Sequence, residues 1–329
     1  MTLPSAAADE AAEVGTPAIP VHLIEGRSLG RIAWDRLKRD RIPMISAAFI
    51  LLLILVAVFA NQINELLGVN DQAYNSDLVD PTILTPIGKF GGMSLAHPFG
   101  VEPVNGRDVF ARIVQGSRPT LIVAVFATTV QMTLGVIFGA VAGYFGGIVD
   151  AVLSRLMDIF LAFPLLLFLI SVGSVIPPQR TANGNWLTHI LVMILVIGTL
   201  TWAYPARLLR GQVISLRERE FVDAARALGA SSRRIIFKEI VPNLAGPILV
   251  YTSLAIPLNI LLEAYLSFFG VGTPLPFASW GQMLSNAVDY YTVDPTYMVI
   301  PGLAVFLTVL AFNLFGDGLR DALDPRAGR

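Results

Sequence analysis

Six stretches of this chain are close to twenty residues long or longer and contain at most one charged side chain each: residues 42–60, 119–145, 156–176, 186–204, 244–269 and 297–315. A bilayer's hydrocarbon core is crossed by about 20 residues of helix. Inside it no water is present to pair with backbone amides, so a crossing segment must satisfy its own N–H and C=O groups. Only 14% of the residues are charged, against roughly 25% in a soluble domain, and the mean hydropathy is +0.66. The expectation is an all-α membrane protein with six transmembrane helices.

The charges orient those helices. Arg27, Arg31, Arg36, Lys38, Arg39 and Arg41, with Trp34 among them, form a basic elbow over residues 27–41. Basic residues gather on the cytoplasmic side of a membrane, and Trp favours its interface with the bilayer. Further arginines stand at 207 and 210, through residues 215–243, and in the tail 317–329. The alternate segments carry few, namely Lys89, Arg107, Arg112, Arg118 and Arg180. Both termini are therefore expected in the cytoplasm. Residues 61–118, with Asp71, Asp77, Asp80, Glu102 and Asp108, are expected to be an extracytoplasmic loop. Residues 1–26 start acidic and rich in Ala and Pro; they are read as a disordered cytoplasmic tail and not as a signal peptide. With no cysteine the chain has no disulfide, thiolate site or cysteine nucleophile. A net charge of −1 without a basic tract argues against nucleic acid.

The polar interruption at 215–243, SLREREFVDAARALGASSRRIIFKEIVPN, predicts two short helices and a turn. Phe221, Ala224, Ala225 and Leu228 recur at helical spacing as one apolar stripe, with Arg219, Asp223 and Arg226 on the other face. Gly229 suits the left-handed residue that ends a helix. Ser231 or Ser232 suits the cap of the next, whose apolar side holds Ile236 and Ile240. Pro242 marks a break before the following span.

The pattern Asp223-Ala224-Ala225, three residues, Gly229 resembles the Glu/Asp-Ala-Ala-x-x-x-Gly loop of permease subunits of ATP-binding-cassette (ABC) importers. The resemblance implies a type I ABC importer permease fold. It also implies a cytoplasmic coupling helix, with Glu220, Asp223, Ala224, Ala225, Leu228 and Gly229 docking on an ATPase. Paired alanines let a partner approach the backbone, and the charges fix register.

A second motif narrows the branch. His97-Pro98-Phe99-Gly100 and Gly106-Arg107-Asp108-Val109-Phe110-Ala111-Arg112 resemble a sequence of the dipeptide and oligopeptide importer permeases, in their "C" member. There the motif runs His-Pro-Leu-Gly-Thr-Asp, then Gly-Arg-Asp-Val-Leu-Ser-Arg. Here Phe99 replaces Leu, Val101-Glu102 replace Thr-Asp, and one residue is inserted before Gly106. The resemblance implies a multi-pass protein of the bacterial cytoplasmic membrane. Its partners would be a second permease, two cytoplasmic ATPases and an extracytoplasmic solute-binding protein. ATP and Mg²⁺ would bind the ATPases, with no cofactor on this chain. Close relatives of the branch carry nickel chelates or glutathione in place of peptides.

Apart from the resemblance, Arg107-Asp108 suits a helix start, where Asp108 faces the positive end of the helix dipole. His97 has no companions at metal-ligand spacing. Gly135, Gly139 and Gly143 form a small-residue face for close helix packing. Pro164 predicts a kink. Asn259 and Glu263 are polar within a span and mark a candidate translocation path, or an interior carboxylate satisfied by neighbours. No phosphate-binding loop of the GxxxxGK[ST] type is present, so the chain is read as non-catalytic. A stand-alone secondary transporter would show internal repeats, which are not evident here.

Overall fold

The computed structural model describes residues 29–175, 186–274 and 276–323. The expected tail 1–26, the expected loop 177–185 and the last six residues lie outside them. Helix α1 (Leu29–Leu37) forms the elbow, and α2 (Arg41–Val58) is the first span, capped by the Asp40 carboxylate on the Ile42 N–H. A short α3 (Ala60–Leu66) follows. Arg118 bridges the joint between α2 and α3, donating to the carbonyls of Ala57 at 2.6 Å and Val58 at 3.0 Å. A cap of turns and one 3₁₀ turn (Ser76–Leu78) leads to α4 (Val109–Phe145). Then come α5 (Gly147–Ala162), α6 (Leu165–Val175), α7 (Trp186–Thr201), α8 (Ala203–Leu216) and α9 (Glu220–Ala227). After α10 (Ser232–Arg234) a π-helical stretch, Ile235–Ile240, runs into α11 (Val241–Asn243). The chain ends with α12 (Ala245–Phe268), α13 (Trp280–Ala287) and α14 (Pro295–Leu323).

Four helices, α2, α4, α12 and α14, are long and apolar enough to cross a membrane unbroken. The other two expected spans are bent pairs, α5–α6 by 83° and α7–α8 by 44°. Pro164 explains the first bend. It disfavours helical backbone at Phe163, which is extended at φ −74° and ψ 137°. In the second pair Pro205 brings no N–H, so the Thr201 carbonyl lacks its helical donor. Gln131 Nε2 supplies one from α4, at 3.3 Å.

Several expected boundaries move. The loop expected over 61–118 ends at Asp108, because Asp108 caps α4 eleven residues before Pro119, which α4 absorbs. The short turn expected before residue 156 is helix α5. The fourth span continues past residue 204 as α8. The loop expected over 273–295 contains α13, and the tail expected from 317 is helical to Leu323. In each case a cap or buried contact outweighs the end of the apolar run. Ser279 Oγ accepts from the Gln282 N–H to start α13. Leu37 and Ala322 pack together, holding the end of α14 against the elbow.

Helix α4 is the axis. Its 37 residues span about 55 Å. On one side it packs against α7 and α8, on the other against α12 and α2. A Cβ on Gly139 would come within 2.6 Å of the Ala206 carbonyl oxygen, and one on Gly143 within 2.7 Å of Val213. The small-residue face is thus the seat of α8, and backbone contact replaces side-chain packing there.

Candidate functional site

The segment 215–243 lies at one end of α4. Arg219 is the N-cap residue of α9, and Gly229 ends the turn in left-handed conformation at φ +74°. Ser231 Oγ accepts from the Arg234 N–H at 3.4 Å. Val222 is fully buried among Ala140, Val213, Ile235, Ile236, Ile240 and Leu244, with Ala225 packed against them. The expected stripe is therefore divided. Ala225 turns inward beside Val222, whereas Phe221, Ala224 and Leu228 stay exposed, Leu228 at 88%. Glu220, Asp223 and Gly229 are exposed as well. Arg226 pairs with Asp223 at 3.1 Å and its guanidinium lies 5.6 Å from the Tyr144 ring, tying the exposed helix to the end of α4. The result is a short helix held from beneath, with an apolar and acidic face turned outward.

The cap lies at the other end of α4. Glu102 is buried and holds two buried guanidinium groups. Arg107 bonds one carboxylate oxygen. Arg112 Nε lies 3.2 Å from the other in an ion-pair contact that is not aligned as a hydrogen bond, and the Tyr297 hydroxyl donates to that oxygen at 3.1 Å. Arg112 also reaches Gln282 Oε1 at 3.4 Å. His97 Nδ1 is 2.7 Å from Asp108 Oδ2, while Asp108 Oδ1 accepts from the Ala111 N–H at 2.6 Å. Gly106, at φ +64°, has no room for a side chain because the Asn75 carbonyl occupies it; Asn75 Nδ2 donates to its carbonyl at 2.8 Å. The structure brings His97, Gly106, Arg107 and Asp108 together as a tie between cap and α4. Half-buried Asp71 sits nearby; burial pushes its carboxyl above the ordinary carboxylate range. Partly buried Asp80 is held below that range by the N–H groups of Thr82 and Ile83.

Between these ends α4 and α12 are joined by two polar clusters. Glu263 is completely buried and accepts from Thr120 Oγ1 at 2.8 Å and Ser267 Oγ at 2.7 Å. Asn259 Nδ2 donates to Thr128 Oγ1 at 2.8 Å and Gln131 Oε1 at 2.9 Å. The two residues expected to mark a path separate here. Asn259 lines a cavity of about 320 Å³, and Glu263 does not.

Glu102, Arg112, Tyr297, Thr120 and Ser267 escaped sequence reasoning. Tyr297 lies 195 residues from Glu102 and Glu263 lies 143 from Thr120, separations that no periodicity encodes. One signal was present. Glu102 keeps an acid where the resembling motif has Asp, and the inserted residue lies between it and Gly106.

Residues 135–329 match the family described as binding-protein-dependent transport system inner membrane component. Residues 28–81 match the N-terminal transmembrane domain of oligopeptide transport permease C. Among curated relatives, the dipeptide transport system permease protein DppC of Alkalihalophilus pseudofirmus is 38% identical over 296 residues, 90% of either chain. The oligopeptide transport system permease protein OppC of Haemophilus influenzae is 36% identical over 306 residues, 92% of this chain and 90% of that one. The glutathione transport system permease protein GsiD of Pectobacterium atrosepticum is 34% identical over 300 residues, 91% of this chain and 92% of that one.

Proposed function

We infer the function from one premise: the chain belongs to the family of binding-protein-dependent transport system inner membrane components. It is a membrane permease subunit of an ABC importer, and the cargo inferred for it is a short peptide. Relatives carry names for dipeptide, oligopeptide and glutathione transport. All three cargoes are peptides of a few residues with free charged ends, and that shared chemistry defines the substrate class. In this reading the chain forms half of a path in the bacterial cytoplasmic membrane, with both termini in the cytoplasm. A second permease forms the other half, and an extracytoplasmic binding protein delivers the peptide. Two ATPases, which hold ATP and Mg²⁺, dock on residues 215–243 and drive alternating access; this chain contributes no catalytic residue.

The observation that carries the coupling role is the outward face of α9. Phe221, Ala224 and Leu228 are exposed together, while Val222 anchors the same helix from below. An apolar patch this exposed, bordered by Glu220 and Asp223 and with exposed Arg219 and Arg226 on the same helix, suits a protein partner that meets it with charges of both signs. ATP-driven movement of such a partner favours one transporter conformation by differential contact.

The test replaces Gly229 with Asp, or the exposed Leu228 with Glu, in cells expressing the whole importer. Membrane level should hold while peptide uptake falls about ten-fold or more. Normal uptake with normal expression would remove the coupling role from this helix. Uptake assays with a dipeptide, glutathione and a nickel chelate, each competed with the others, test the substrate class separately.

A further inference from the structure

The cavity beside Asn259 is bounded by Phe160 and Leu161 of α5, Tyr204 of α8, Asn259 and Tyr265 of α12, and Gln131 of α4. It sits where both bent pairs break: α5 ends at Ala162, and α8 begins at Ala203. At about 320 Å³ it reaches the lower end of the range of small-ligand sites. Its walls are mostly apolar, with amide and hydroxyl groups at few points. That mixture suits a peptide of variable side chains and constant backbone.

Asp158 and Arg207 form an ion pair between α5 and α8. Each stands three residues from a cavity wall on its own helix, Asp158 from Leu161 and Arg207 from Tyr204, so each lies one helical turn away on the same face. In both helices that turn leads toward the end of the bundle that carries residues 215–243. The pair therefore lies one turn beyond the lining residues at that end of the cavity. Both side chains are 49% exposed, although the helices that hold them are parts of membrane-crossing pairs. A charged pair left open on such a helix is costly against lipid and belongs to a wet cavity or an interface. Asp150–Arg210, nearer the 215–243 end of the same helix pair, contrasts with it, since those side chains are only 20% and 30% exposed. Arg155, 4.0 Å from the second oxygen of Asp158, leaves that carboxylate a cation when Arg207 departs.

We propose that this cavity is a station for the peptide in transit and that Asp158–Arg207 is the gate at its coupling-segment end. The pair separates when the guanidinium passes from Asp158 to the peptide's α-carboxylate, exchanging one carboxylate partner for another. The proposal rests on the short-peptide reading for the ligand that draws Arg207 away, whereas the barrier that the pair forms at rest does not depend on the cargo.

The test uses the complete importer, with binding protein and ATPases, in proteoliposomes. The natural chain has no cysteine, so Asp158→Cys/Arg207→Cys introduces its only two thiols. Oxidation should cross-link them and lower dipeptide uptake about ten-fold, and dithiothreitol should restore it. Full cross-linking, verified by mass spectrometry, with uptake unchanged overturns the gate. A charge swap, Asp158→Arg/Arg207→Asp, should recover most of the uptake that either single reversal loses, a loss of about ten-fold or more from like-charge contact. No recovery in a swapped protein that assembles normally also overturns it. The second readout needs no cargo. In a Thr201→Cys protein, whose position on the cavity wall is only partly exposed, labelling by a membrane-impermeant maleimide from the coupling-segment side should rise about five-fold when Asp158→Asn is added. Unchanged labelling refutes the gate. Wild-type vesicles that take up no peptide, yet show the labelling increase, refute the substrate reading and leave the gate standing.

Discussion

Replacing Glu102 with Ala should strip the cap of its central charge. Glu102, Arg107 and Arg112 are all buried, at 1%, 4% and 0% exposure, so water cannot replace the missing carboxylate without opening the fold. Arg112 would keep only long contacts, 3.4 Å to Gln282 and 3.5 Å to the Asp71 carbonyl. Asp108 is committed to His97 and to the α4 cap. Removing one partner of a buried ion pair costs about 3–5 kcal/mol, because the other charge is left without compensation. The Tyr297 hydroxyl loses its acceptor too, adding about 1 kcal/mol. A total near 5 kcal/mol corresponds to a fall in Tm of about 15 °C at some 2–4 °C per kcal/mol. Thermal unfolding of the purified chain in detergent measures it. Glu102→Gln keeps an acceptor for one arginine and should fall between wild type and Glu102→Ala. A Glu102→Ala protein within about 2 °C of wild type would refute the assignment of this carboxylate as the counter-charge that fixes the cap.

Three further outcomes follow from single contacts. Gly281→Val should destabilise by about 1–3 kcal/mol, because its Cβ would meet the Ala264 carbonyl of α12; an unchanged Tm would mean that α13 is not seated there. Glu263→Gln should cost under about 1 kcal/mol and preserve uptake, since the hydroxyls of Thr120 and Ser267 can rotate to serve an amide; near-total loss of uptake with normal assembly would give the carboxylate a transport role. Asp71→Asn should raise Tm at neutral pH. Burial holds the folded carboxyl above its unfolded value, so stability tied to the protonated form is present at low pH and lost as pH rises through the folded value. The gain should vanish toward about pH 3, and a gain that persists there would assign the effect to something other than charge.

What the sequence made legible is what local chemistry decides. The six crossings follow from runs of apolar residues, and the turn at Gly229 and cap at Ser231 follow from residue type at fixed offsets. The Asp108 cap was visible for the same reason. What stayed hidden depends on partners distant in sequence. Periodicity groups Phe221, Ala224, Ala225 and Leu228 because it counts angles around one helix. It cannot say that Ile235, Ile236 and Ile240 return beneath α9 to bury Val222 and leave Leu228 outside. Hydropathy placed the ends of α2 and α12 within two residues but misplaced the start of α4 and the ends of α8 and α14. A membrane-crossing helix continues beyond the bilayer if a cap or another helix receives it, as Asp108 receives α4 and Leu37 receives α14. Asn259 and Glu263 look alike in sequence, each a polar residue in an apolar run. Only the placement of α5 and α8 leaves Asn259 on a cavity and Glu263 sealed.

The two flanks of α4 are fastened in different ways, and this bears on which side can move. Toward α12 the contacts are polar and directional: Thr120 to Glu263, Thr128 and Gln131 to Asn259, and Arg112 to Glu102 and onward to Tyr297 of α14. Sliding those helices would break several buried bonds at once, each left without water to replace it. Toward α8 the contacts are glycine against backbone and small side chains at Gly135, Gly139 and Gly143. Such a face holds helices close, and its hydrogen bonds lie toward its two ends, from Gln131 to the Thr201 carbonyl and from Arg217 to the Gly143 carbonyl, fewer than on the α12 side. Helix α8 runs directly from the bend at Trp202 to the start of the 215–243 segment. A pull on α9 therefore reaches α8 first and meets least resistance along the glycine face. The α7–α8 bend, the Asp158–Arg207 pair and the cavity wall at Tyr204 all lie on that side, whereas α4, α12 and α14 form the frame against which they shift.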